Sequence, residues 1–228
     1  MWYSEKSVNS SLYIAFLMAA IAGFSDVFGF ITLHEIFTAH ITGNLVIAIS
    51  YAVYHIPGIL PRVIAIPIFI LAACIVTAII ELLGISKQAF RYWLALETLL
   101  FLALMITVIA FHPSLTVTSV SFLFIAMIPV TAMAIHNTLM KTFLRSIPVY
   151  TVMTGNLSQF IISLTALLLG KHTRIKEDHE QLILEIKKFG TLLLGFIVGG
   201  AVSLLYVVIG FYAILFLMPF LILAIIIA

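Results

Sequence analysis

Asp26 is a carboxylate set inside an otherwise apolar run, flanked by Gly23, Ser25 and Gly29. An ionised acid at membrane depth costs at least about 2.5–3.5 kcal/mol on insertion scales, so it needs a partner, water or a proton. That need marks Asp26 as the first functional candidate. The second is a phrase that occurs twice. His40-Ile41-Thr42-Gly43-Asn44-Leu45 recurs as Val152-Met153-Thr154-Gly155-Asn156-Leu157, the threonines lying 154 − 42 = 112 residues apart in a chain of 228. Threonine and asparagine suit helix N-termini, where a side-chain oxygen accepts from an orphan N–H, and glycine permits the turn that leads in. Inside a membrane no bulk water is at hand to do the same. Thr42, Asn44, Thr154 and Asn156 can therefore serve the backbone, present hydroxyl and amide groups to a permeant, or do both.

The flanks of the two copies also correspond. Ala22-Gly23-Phe24-Ser25-Asp26 aligns with Met133-Ala134-Ile135-His136-Asn137 after one residue of slippage, and Ala73 to Thr77 answers Gly195 to Gly199. Asn137, preceded by His136, stands where the first copy has Asp26, so only one half carries the acid. That asymmetry suits a single proton or cation site. Gln159 follows the second triplet and is placed to line a cavity. Weaker candidates follow: Glu97 as either a second buried acid or an interfacial one reaching toward Arg91, with the interfacial reading preferred, and His34 and His40 as surface imidazoles. Gly195 and Gly199 permit close helix packing, and Pro67, Pro129 and Pro219 suggest kinks.

These residues must be positioned by membrane helices. Hydrophobic residues make up 64% of the chain and charged residues 9%, against roughly 45–50% and 25% in soluble domains. The class is an all-α polytopic membrane protein forming one membrane domain over residues 1–228. A net charge of +2, spread over helix ends, carries no nucleic-acid message. The single Cys74 excludes an internal disulfide and offers no metal cluster. The first apolar run lacks a cleavage pattern and is expected to remain as the first helix. No Gly-x-Ser-x-Gly, His-Glu-x-x-His, cysteine pair or phosphate loop occurs. The reading is therefore of a protein that is not an enzyme and needs no cofactor.

Six stretches approach the roughly 20 residues a bilayer requires: about 11–33, 63–84, 91–111, 115–140, 187–208 and 209–228. Two shorter ones, 45–56 and 157–170, begin directly after the Thr-Gly-Asn triplets, and 171–188 reads as a charged loop. If all eight cross, with the N-terminus inside, the basic residues split 7:4 between the two faces; if the short pair re-enters, they split 10:1, with Arg62 alone outside. The positive-inside rule selects six spans plus two re-entrant helices, with both termini cytoplasmic. Each repeat, 11–111 and 115–228, then holds three spans, so the second is inverted relative to the first. Inverted repeats with paired broken segments are a recurrent transporter plan, with the site near the midplane.

Ala22 to Asp26, Phe37 to Asn44 and Val152 to Asn156 closely resemble the YoaK-like family of bacterial inner-membrane proteins, a domain of unknown function, over nearly the whole chain. The second half departs from that family's usual Gly-x-Gln-Asn, with Ala134 and His136 in place of Gly and Gln. The resemblance implies a bacterial plasma-membrane protein of about six spans and brings no activity with it. The expectation is a small-solute transporter or channel, proton-coupled through Asp26, its half-helix N-termini favouring a small polar or anionic solute. The partners are the lipid bilayer and that solute, with room for a homo-oligomer. A non-transporting partner or sensor protein, or a membrane-embedded enzyme acting on lipid or quinone, remain the alternatives.

Overall fold

The computed structural model describes residues 8–111, 116–145, 147–149, 153–170 and 179–227. Every element among them is helical: α1 (Val8–Thr32), α2 (Ile41–Val53), α3 (Ile59–Leu83), α4 (Lys87–Phe111), α5 (Val120–Phe143), α6 (Met153–Leu169) and α7 (His179–Ser203), then α8 (Tyr206–Ile209), a 3-10 stretch (Gly210–Leu217) and α9 (Met218–Ile227). Five segments are long and apolar enough to cross a membrane, the last running 46 residues from His179 to Ala224. At 1.5 Å per residue that last segment is about twice as long as a 30 Å core requires, and it folds back on itself. The chain is a polytopic helical membrane protein.

The last expected span, 209–228, is not one regular helix. It is broken into α8, the 3-10 stretch and α9. Pro219 falls in the first turn of α9, where a missing N–H is tolerated, instead of kinking a continuous span. The expected charged loop 171–188 is also shortened. α7 starts at His179, because Leu182, Ile183 and Ile186 already give it an apolar face; residues 171–178 lie outside the described residues.

Contacts fix the direction of each helix. α7 runs parallel to α1, since Thr191 shares a cavity with Leu12 and Gly199 meets Ala20. α4 runs antiparallel to α5, with Phe90 against Phe143. His34 beside Phe122 places the end of α1 at the start of α5. Arg62 reaches the His34 carbonyl, so α3 starts at that end too. Ile227 returns to Leu12. The described helices thus traverse the bundle six times, while α2 and α6 each begin and end near one face.

Among the described residues, Lys87, Arg91, Lys141, Arg145, Lys187 and Lys188 sit at or toward one end, and Arg62 toward the other. In a Cys74→Ala background, Gln88→Cys and Glu180→Cys should react with an impermeant thiol reagent from the same side, and Ile56→Cys from the opposite side. Labelling of residues 88 and 180 from opposite sides would overturn this topology.

The core is built on α1 and α5. Of their most apolar windows 78% and 61% is buried, against 17–28% for α3, α4 and the last segment, so the outer helices face lipid. α7 packs along α1 and α3 along α5; α6 lies on α7 and α2 on α3; α4 lies on α5 and α9 on α1. Small residues allow this. A Cβ on Gly23 or Gly199 would overlap the backbone of Phe196 or Ala20, so α1 and α7 touch main chain to main chain.

Candidate functional site

Residues 36–40 turn back after α1 and run down its side. Gly29 makes room, since a Cβ there would lie 2.8 Å from the Thr38 methyl and 2.9 Å from the Ile36 carbonyl oxygen. The descending chain brings three consecutive N–H groups to the level of Asp26. Asp26 Oδ1 accepts from Thr38 N at 2.8 Å, Ala39 N at 2.6 Å and Thr38 Oγ1 at 3.2 Å. Oδ2 accepts from His40 N at 3.2 Å and forms a close ion pair with His40 Nδ1. Thr38 and Ser25 share a further hydroxyl contact of 2.8 Å. Asp26 is only 3% exposed. A carboxylate on one helix therefore satisfies three consecutive donors of the chain that leads into another, ending at the N-cap of α2, where the positive end of the α2 dipole also favours it.

His40 was expected at the surface. It is instead the N-cap residue of α2 and the ion-pair partner of Asp26, edge-on to Phe196 with ring centroids 5.4 Å apart. Beside the pair lies a cleft of about 300 Å³, lined by Asp26, Val27, Phe30, Phe37, His40 and Phe196. Its walls are almost wholly apolar, with one acid–imidazole pair among three aromatic rings.

The triplets work differently from the expectation. α2 and α6 begin at Ile41 and Met153, before the triplets, so Thr42 and Thr154 fall in the first helical turn and are exposed. Asn44 is fully buried and is not among the residues that line the cleft. Its Oδ1 accepts from Phe37 N at 2.8 Å while its Nδ2 donates to Phe37 O at 2.7 Å. Asn156 Nδ2 donates to Val149 O at 3.0 Å. Both asparagines reach seven residues back, 44 − 37 and 156 − 149. They clasp the descending chain to its own helix.

The C-terminal halves of the short helices are anchored as well. Gln159 is half-buried on α6, donating to Glu185 Oε2 at 3.1 Å and to Ser163 Oγ at 3.4 Å, while Ser163 Oγ donates to Glu185 at 2.6 Å. Gln159 thus holds α6 to α7. On α2 the corresponding position to Ser163 is Tyr51, 163 − 51 = 112 residues earlier. The fully buried Arg62 guanidinium lies 4.0 Å from the Tyr51 ring centroid and donates to the Gly58 and His34 carbonyls. Tyr51 in turn donates to Glu35 at 2.8 Å.

Asn137 is half-buried on α5. His136 is fully buried, and so is Glu97, which therefore is not an interfacial acid reaching for Arg91. His136 Nδ1 lies 2.8 and 3.0 Å from the two Glu97 oxygens, across the α4–α5 interface, and Nε2 lies 2.9 Å from the Met18 carbonyl of α1. No motif announces this pair, because its partners are 136 − 97 = 39 residues apart. The sequence candidates accordingly do not meet in one pocket. Asp26 and Asn44 lie toward one end, His136 in the middle of the bundle, and Thr154, Asn156 and Gln159 toward the other end. Among the described residues no group of three or more His, Cys, Asp or Glu side chains could hold a metal.

A family model described as "Protein of unknown function (DUF1275)" matches residues 14–228. No curated protein and no solved structure matches the chain.

Proposed function

The chain belongs to that family of unknown function, and we propose that it is a small-solute membrane transporter, proton-coupled, with the Asp26–His40 cleft as its site. One observation carries the reading. A carboxylate in an apolar helix holds the chain leading into the short helix α2 and lies, with its imidazole partner, against an apolar cleft. A proton arriving on Asp26 weakens its hold on the N–H groups of residues 38–40, so occupancy of the acid and the seating of α2 become linked. Three phenyl rings and an imidazole line the cleft, which favours a neutral or cationic solute over an anionic one.

The helix pairing supports a duplicated plan in which α1, α2, α3 and α4 correspond to α5, α6, α7 and the α8–α9 segment. Exchanging those elements turns each packed pair into another: α1 on α7 into α5 on α3, α2 on α3 into α6 on α7, and α4 on α5 into α9 on α1. Because α1 and α5 run in opposite directions, the repeats would be inverted. The excess of Lys and Arg at the end holding Leu12 and Ile227 supports a cytoplasmic position for that end in a bacterial inner membrane.

A second reading, a non-transporting partner or sensor, is favoured by how completely Asp26, Asn44 and Asn156 are engaged by backbone. The two are separated by a thermal-shift screen of the purified protein against small polar solutes at several pH values. Transport predicts a solute that raises the unfolding midpoint of the wild type in a pH-dependent way, and loss of both the shift and its pH dependence in Asp26→Asn. Equal shifts and parallel pH profiles in the two proteins would remove Asp26 from the mechanism.

A further inference from the structure

The pair at the centre of the bundle is not used by the cleft. Met18 and Glu97 lie near the middle of α1 and α4, and both Glu97 and His136 are fully buried. The Met18 carbonyl can only accept, so His136 Nε2 carries a hydrogen and donates across 2.9 Å. Nδ1 then faces the Glu97 carboxyl at 2.8 Å. One more proton must lie on that contact, either as imidazolium against carboxylate or as neutral imidazole accepting from carboxylic acid. Both forms have the same heavy-atom geometry and zero net charge.

Removing that proton sets a carboxylate against a nitrogen lone pair and leaves a negative charge in an apolar interior. Adding a second leaves an imidazolium beside a neutral acid. Either change leaves an unbalanced charge at the contact. Among the described residues, Lys87 and Arg91 on α4 and Lys141 on α5 sit toward the helix ends, Arg62 is held by the His34 and Gly58 carbonyls, Glu81 is exposed on α3, and Asp26 is committed to residues 38–40. Tyr13 and Tyr212 are exposed, and Tyr206 packs edge-on to Phe28 and tilted against Phe211.

We infer that Glu97 and His136 form a proton-binding site, sharing one proton that exchanges with water, where α1, α4 and α5 meet. The inference rests on the transport reading for its coupling role. Asp26 lies 26 − 18 = 8 residues from Met18 on α1, about 12 Å along the helix, so one element carries both centres. Movement of α1 at the cleft would be felt at the Met18 carbonyl.

The test uses the full chain in proteoliposomes adsorbed on a solid-supported membrane, with protons as the only probe. A step in bath pH should give a transient displacement of charge in the wild type. It should be lost in Glu97→Gln and in His136→Gln, and kept in Glu81→Gln. The amide variants retain hydrogen bonds without a mobile proton, and the double variant Glu97→Gln/His136→Gln serves if a single one fails to fold. Wild-type displacement that persists in the folded Glu97 and His136 variants, or its absence from the wild type, overturns the site. A chain that displaces charge through Glu97 yet binds no solute in the thermal-shift screen keeps this proton site and loses the transport reading.

Discussion

Asp26→Ala is expected to unseat the chain that leads into α2 and to destabilise the protein by several kcal/mol, on the order of the cost of leaving two or three buried donors without an acceptor. The substitution strips acceptors from Thr38 N, Ala39 N, His40 N and the Thr38 hydroxyl together. Each donor left buried without a partner costs about 1–3 kcal/mol, so rearrangement of residues 36–40 becomes preferable to holding them in place. Asp26→Asn should fall between. Its carbonyl oxygen can still serve Thr38 and Ala39, but its NH2 group would face the His40 N–H, donor against donor. The measurement is the thermal midpoint in detergent together with hydrogen exchange at the amides of residues 38–40. Undiminished protection of those amides in Asp26→Ala would show that the carboxylate does not hold the chain there.

Much of this arrangement was readable from residue types. The apolar runs located the long helices because a bilayer imposes length, and the distribution of Lys and Arg separated six crossings from eight because charge bias is counted loop by loop. Asp26 stood out since a carboxylate in an apolar run always demands compensation. Its partner did not stand out. His40 looks like any polar residue in a loop until the descending chain returns it to the level of Asp26, and that return depends on the absence of a side chain at Gly29. The triplets drew attention for a sound reason and yielded a different role. Asn44 and Asn156 do satisfy backbone groups, but they reach seven residues back along the chain instead of capping from the position before the helix. Glu97 reads from sequence as either buried or interfacial, because its place along α4 leaves both open; packing against α5 makes it buried. A contact such as His136 to Glu97 is a property of tertiary packing, and a single sequence holds no local sign of it.

Gly199→Leu should be the most disruptive single change away from the polar groups. α1 and α7 approach so closely that a Cβ at Gly199 falls on the Ala20 carbonyl, and one at Gly23 falls on the Phe196 carbonyl. Overpacking ordinarily costs about 1–3 kcal/mol because neighbouring side chains can turn aside. Here the obstacle is main chain, which cannot turn aside without moving a helix, so the loss should exceed that range. The displacement would also reach the functional centres. Phe196, four residues from Gly200 on α7, walls the Asp26 cleft, and α1 carries both Asp26 and the Met18 carbonyl that orients His136. Gly190→Ala is the matched control on the same helix, since its added methyl meets only the Phe160 ring, at 3.1 Å, and a ring edge can give. The expected result is a steep fall in the thermal midpoint for Gly199→Leu, accompanied by lost protection at residues 38–40, and a small change for Gly190→Ala. Equal midpoints for the two variants would mean that α1 and α7 are not held at backbone contact.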